Sequence, residues 1–136
     1  MICDCRALPS QDESDIRAHV EAALGDGLRY EIELLEPLEG GTESSIDTPL
    51  YRLCESYVDE RLDGAALLPL ISPGFTDSHW IRAAFGTAAY GFAPTFHTDL
   101  RTYFDGMHGA DESIAIDDLV EMTRFNMRAI GAPDPS

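Results

Sequence analysis

Three stretches of the chain carry side chains able to do chemistry. In GMHGADES, residues 106–113, His108 stands beside Gly109 and is soon followed by Asp111 and Glu112. A neutral imidazole is a good zinc ligand, and a neighbouring carboxylate can orient it or anchor its loop. The same residues also suit an exposed loop histidine next to the acids that begin a helix. In ISPGFTDS, Gly74 with Ser72 and Thr76 makes a glycine turn after an apolar run. Glycine permits a left-handed backbone or the close approach of a ligand. Free amides at the start of a following helix suit a carboxylate or oxyanion. The alternative is a plain turn in which Thr76 or Asp77 only caps the helix. Arg6, in DCRAL, offers a planar fork able to grip a substrate carboxylate, although most arginines so placed are simply solvated. His79 and His97 carry less signal, and His19 falls on an acidic helix and reads as solvated.

These residues need elements to hold them. ICDCRAL alternates and reads as a short strand ending near Arg6. PSQDES suits a helix start, and Ile16, Val20, Ala23 and Leu24 recur at helical spacing until Gly25 and Gly27. In LRYEIELLEP, Leu28, Tyr30, Ile32 and Leu34 share one face of an expected strand closed by Pro37. The glycine- and acid-rich LEGGTESSIDTP marks a boundary, followed by a helix from Asp47-Thr48-Pro49 with Leu50, Leu53, Cys54, Tyr57 and Val58 as its stripe. AALLPLIS and TAAYGFAP read as buried parallel strands, with a helix near Thr76 or Asp77 between them. IDDLVEMTRFNMRAI is the last helix, with Leu119, Met122, Phe125 and Ile130 expected inward. The order is that of an α/β layer fold, in which Gly74, the end of YGFAP and His108 all follow strand ends, where such sheets bind ligands.

Composition narrows the partners. The 136 residues hold 25 acids and 9 bases, all arginine, for a formal charge of −16. Such a surface repels phosphate backbones and anionic membranes, so neither nucleic acid nor a membrane is expected as a partner. The same balance also fits an acid-rich host proteome or a saline habitat. Hydrophobic residues make up 44%, enough to build a core. The three cysteines, Cys3, Cys5 and Cys54, form neither a CxxC pair nor an even set. Reduced thiols in a cytoplasmic protein are expected rather than a zinc knuckle or a disulfide framework. No apolar run approaches a membrane span, and MICDCRALPS lacks the design of a signal peptide.

The order of the pieces is more specific than any one of them. DCRALPSQ, GGTESSIDTPLY, SPGFTDSHWIRAAFGTAAYGFAP and HGADESIAIDDLVEMTRF follow one another in a pattern that resembles the C-terminal part of the co-catalytic zinc hydrolases. This metallopeptidase and amidohydrolase family includes the aminoacylases, glutamate carboxypeptidase, acetylornithine deacetylase and succinyl-diaminopimelate desuccinylase. The resemblance runs over nearly the whole chain. Its most specific pieces are the Gly-x-Thr-Asp turn and the His-Gly-x-x-Glu loop, with the Tyr-Gly-Phe-x-Pro strand end between them.

The resemblance implies an α/β fold: part of a phosphorylase/hydrolase-like zinc peptidase catalytic domain, preceded by half of a βαβ lid. Residues 1–45 would be the closing half of the lid, a domain that often dimerises, and 46–136 the C-terminal part of the catalytic domain. The implied reaction is hydrolysis of an amide bond next to a free carboxylate, on a peptide or an N-acyl amino acid. His108 matches the last zinc ligand, Arg6 a lid arginine that contacts the substrate carboxylate, and Gly74 with Ser72 and Thr76 the turn lining the substrate pocket. Asp77 and Glu112 match acids that serve as scaffolding, while His79 departs from the arginine many members carry after the turn. The family's mechanism uses two zinc ions, a bridging aspartate and a glutamate base. No His-x-Asp strand end and no Glu-Glu pair before a metal-ligand acid supplies them in this sequence. The expectation is therefore a fragment, or truncated relative, inactive as an isolated chain. The rival readings are a non-catalytic interaction module and the complementing half of a split enzyme.

Overall fold

The computed structural model describes residues 1–36, 40–72 and 74–131. Pro37, expected to close the second strand, and Pro73, in the glycine turn, lie outside the described residues. Five helices follow in order: α1 Glu13–Leu24, α2 Pro49–Arg61, α3 Ser78–Phe85, α4 Leu100–Gly106 and α5 Ile116–Gly131. They belong to two compact units, one of Met1–Ser45 with Leu70–Ala89, the other of Ile46–Pro69 with the chain from Tyr90 onward.

In the first unit, α1 forms where the sequence supplies its caps. The Asp12 carboxylate accepts the amides of Ser14 and Asp15 at 2.8 and 3.2 Å, and Asp15 accepts the amide of Asp12 at 2.9 Å. This reciprocal box satisfies amides that have no partner inside the helix. Gly25 ends the helix at φ 66°, a backbone open to glycine without a side-chain penalty. Ile16, Val20 and Leu24 are half-buried. Arg17 donates to the Ile32 carbonyl at 3.1 Å and to Glu13 at 3.0 Å, fastening the segment after α1 to its flank. Pro9 and Gly41 form a single parallel bridge. A Cβ on Gly41 would stand 2.6 Å from the Pro9 nitrogen, so the approach requires glycine.

Helix α3 is held by Arg82. Its guanidinium donates to the Ala89 carbonyl at 2.7 Å, to Thr42 Oγ1 at 3.0 Å and to the Thr42 carbonyl at 3.3 Å. Ser44 completes the knot, donating to the Ala89 carbonyl at 3.1 Å and accepting its amide at 3.0 Å. His79 is buried, within 3.4 Å of Thr42 Oγ1 through Nδ1, with the rings of Phe75 and Trp80 at 5.2 and 4.8 Å.

The second unit has the better core. Thr48, not Asp47, caps α2 by accepting the Tyr51 amide at 3.0 Å, while Asp47 pairs with Arg52 at 2.8 Å. Tyr51, Cys54, Tyr57 and Val58 are buried along α2. Cys54, Tyr57 and Phe125 form the centre, with Leu53, Leu67, Phe92 and Phe96 packed on it. Tyr57 meets Phe125 edge-on at 5.2 Å, and Phe92 lies 4.7 Å from Phe125. Edge and tilted geometries of this kind add about 0.5–1.5 kcal/mol per pair beyond burial itself.

Two expectations change. The four segments with strand patterns carry no ladder: among the described residues the Pro9–Gly41 bridge is the one β pairing. A strand's hydrogen bonds are all made to a neighbour, so an alternating pattern without one stays irregular. Leu28, Leu68, Leu70 and Ile71 are accordingly exposed. Helix α5 is also turned differently from its sequence reading. Phe125 is buried with Asp118 and Glu121, whereas Leu119 and Ile130 are exposed.

Candidate functional site

His108 lies just after α4, in the tight loop that leads to α5. Its backbone sits at φ 63°, the left-handed region, which is unusual for a residue other than glycine. Conformations of this kind cost of order 1–3 kcal/mol, and they persist where surrounding bonds impose them. Those bonds are visible. The His108 amide donates to Glu112 Oε2 at 3.2 Å, the Gly109 amide to the Gly106 carbonyl at 2.8 Å, and the Glu112 amide to the Gly109 carbonyl at 3.4 Å. A Cβ on Gly109 would press to 3.0 Å from the Gly106 oxygen. The sequence Gly-Met-His-Gly-x-x-Glu thus closes one loop on itself, with Glu112 as its anchor and the histidine exposed.

Arg6, Ser72, Gly74, Thr76 and Asp77 lie in the first unit. Arg6 is exposed, and its Nε and Nη2 reach Asp4 Oδ2 at 3.3 and 3.1 Å. This exposed pair contributes little to stability. Ser72 Oγ accepts the Gly74 amide at 3.1 Å, a local turn bond. A Cβ at Gly74 would come within 3.2 Å of that oxygen. Thr76 contributes its carbonyl to the His79 amide at 3.1 Å, and Asp77 opens α3 without a side-chain cap. Ser72 and Gly74 share a local bond, Thr76 bonds forward into α3, and His108 belongs to the other unit.

A zinc centre needs about three protein donors. Among the described residues no three His, Cys, Asp or Glu side chains gather as a metal-binding group. The donors of this chain do not by themselves fit the zinc pair that the resemblance implies, and no catalytic step is derived through it.

Sequence reasoning missed the most ordered polar cluster. The Tyr57 hydroxyl, in a side chain only 1% exposed, donates to Glu121 Oε2 at 2.7 Å and lies 3.1 Å from the Glu121 carbonyl. Arg61 Nε reaches the same carboxylate at 2.9 Å, and Arg124 Nη1 its other oxygen at 2.6 Å. The Tyr57 hydrogen bond, with the two guanidinium groups, holds Glu121 ionised down to about 2. A carboxylate so acidic and so fully engaged is a poor general base near neutral pH, and the cluster is a lock between α2 and α5. Asp118 is a second lock. It is fully buried, which by itself would raise its pKa. Yet bonds from the Thr98 hydroxyl and from the amides of His97 and Thr98, the latter two at 2.8 and 2.7 Å, keep it below the usual carboxylate range. Thr98 Oγ1 in turn accepts the Ala115 amide at 3.1 Å, tying the start of α5 to the loop before α4. Spacing could have revealed both acids, since 118, 121 and 125 share a helical face with Phe125.

No helix among the described residues is long and apolar enough to cross a membrane. Comparison with protein-family models, curated proteins and solved structures found no match to this chain.

Proposed function

We propose that the chain is part of a zinc-dependent amidohydrolase or exopeptidase of α/β fold, acting on an amide bond next to a free carboxylate. In this reading His108 supplies one metal ligand and Arg6 grips the substrate carboxylate. Gly74, Ser72 and Thr76 line the pocket, and the remaining ligands and the base come from sequence outside these 136 residues. The chain alone hydrolyses nothing. The observation that carries the reading is the His108 loop: an exposed imidazole held at φ 63° by Glu112, in a motif whose order along the chain resembles the family pattern. Strain retained at an exposed histidine points to a use for that histidine. The unladdered, exposed β-patterned segments support the same reading, because they are what an α/β sheet shows when its other strands are elsewhere.

The test separates fold from ligand. Asparagine tolerates the left-handed backbone but does not replace the imidazole. His108→Asn should leave the melting temperature of the metal-free chain unchanged and, in a zinc-loaded assembly containing this chain, abolish metal-dependent hydrolysis of N-acyl amino acids. Wild-type turnover would refute the ligand assignment. Arg6→Ala should weaken substrate binding or transition-state contact and leave zinc content alone; loss of metal would contradict its role.

A further inference from the structure

Helix α5 turns polar residues inward and its most apolar ones to the surface. Asp118 and Glu121 are buried, while Ile116, Leu119, Val120, Met127 and Ile130 are exposed. At about 100° per residue, Ile116, Val120, Thr123, Met127 and Ile130 fall on one narrow stripe. Their spacing alternates four and three, the a/d repeat of a two-stranded coiled coil. Thr123, at the centre, donates its hydroxyl to the Leu119 carbonyl at 2.8 Å, so its polar group is already satisfied. The charged residues bordering the stripe are Asp117 and Arg124, both in the e register; Arg124 holds Glu121 through Nη1 while its side chain stays 59% exposed, so the guanidinium can bridge to a second carboxylate. A chain of net charge −16 thus keeps one acid and one base beside its most apolar helical face.

We propose that this stripe is a self-association surface, on which a second copy packs its own α5 antiparallel about a two-fold axis. The choice of a second copy rests on charge. In an antiparallel pair the e positions of the two helices face each other. Aligning Ile116 with Met127 of the partner, and Val120 with Thr123 of the partner, brings Asp117 beside Arg124 of the partner. The two-fold axis repeats that pairing on the opposite end. A parallel pair would set Arg124 opposite Leu119 and leave Asp117 opposite position 112, which precedes the helix. A strongly basic partner would suit the net charge of the chain but not this face, whose own charges cancel. The surface is distinct from residues 1–45, where the resemblance places a dimerising lid, and it uses no residue of the proposed zinc or substrate site.

Sedimentation equilibrium of the purified chain over roughly 10–500 µM tests it, a range that brackets a micromolar dimer. The mass should climb from 14.9 kDa toward twice that value. Val120→Glu and Met127→Glu change exposed side chains, so they should keep the circular dichroism spectrum and remain monomeric throughout. Ile46→Glu, at an exposed apolar residue outside the helix, should dimerise as the wild type does. Asp117→Arg should weaken the dimer at least about tenfold, roughly 1.4 kcal/mol. Asp117→Glu, which keeps the carboxylate and leaves Arg124 on Glu121, should dimerise as the wild type does. A wild-type chain monomeric at the highest concentration, or a dimer unaffected by Val120→Glu, overturns the proposal. An Asp117→Arg dimer as tight as the wild type overturns the antiparallel two-fold arrangement.

Discussion

Tyr57→Phe removes one oxygen atom from the centre of the second unit, and its cost can be worked from the contacts. The hydroxyl donates to an ionised carboxylate at 2.7 Å, in a side chain that is 1% exposed. A bond to a charged group contributes about 1.5–3 kcal/mol net. The lower end applies, because Arg61 and Arg124 still donate to Glu121 after the change. A loss of about 1.5 kcal/mol lowers the melting temperature of a small domain by roughly 6–12 °C. Tyr57→Ala also forfeits the ring packed against Phe125 and Phe96, and the guanidinium of Arg61 at 5.0 Å from its centroid. That loss is about 3–5 kcal/mol, as for other large aromatic truncations. Thermal and urea unfolding followed by far-UV circular dichroism measure both variants. Trp80, the single tryptophan, lies in the other unit and reports on it separately through fluorescence. If Tyr57→Phe melts with the wild type, the hydroxyl–carboxylate lock is not what joins α2 to α5; if it falls as far as Tyr57→Ala, the ring contributes nothing beyond its hydroxyl and the packing argument fails.

Glu121 gives the acid dependence. Its folded pKa is depressed, to about 2 from an ordinary 4.5, so its stabilisation is complete above the unfolded value and drains away between about 4.5 and 2. Glu121→Gln should therefore flatten the acid limb of stability across that window, and an unchanged limb in a urea series against pH would disprove the assignment. Asp118→Ala leaves two amides and a hydroxyl without their acceptor and should cost roughly 3 kcal/mol in chemical denaturation. Asp118→Asn, which keeps one acceptor oxygen, should cost less; equal losses would mean that the carboxylate bonds do not hold the loop. Cys54 is buried and its thiol is pushed up to about 11, whereas Cys3 and Cys5 are exposed. At pH 8 a thiol reagent should label Cys3 and Cys5 quickly, and Cys54 only once the second unit unfolds. Three equally fast thiols would contradict its burial.

What the sequence made legible follows the range of the forces involved. Helix α1 was readable because its capping box, its 3.6-residue stripe and Gly25 all act within a few residues of one another. The start of α2 was readable to within one residue, since Asp47 and Thr48 both suit a cap; Thr48 takes that place and Asp47 pairs with Arg52 five residues on. Helix α4 went unread, although Asp99 caps it by accepting the amides of Arg101 and Thr102, because seven residues give no periodic stripe to see. The β-patterned segments show the limit most clearly. Alternation specifies which face of a strand is apolar and says nothing about whether a neighbour exists. The face of α5 was misread for a related reason: its most apolar stripe points to solvent, while Asp118 and Glu121 turn inward to bonds from residues up to 64 positions away. At the candidate site, the anchoring role of Glu112 was legible from His-Gly-x-x-Glu. The left-handed backbone of His108 emerges only with the folded loop.

The measurement closest to the central claim is a zinc titration of the isolated chain, by calorimetry with His108 ring resonances followed in parallel. A lone imidazole without companion donors should give binding far weaker than about 1 µM, centred on His108 and lost in His108→Asn. A tight, stoichiometric zinc site in this chain, or one indifferent to His108, would contradict the account.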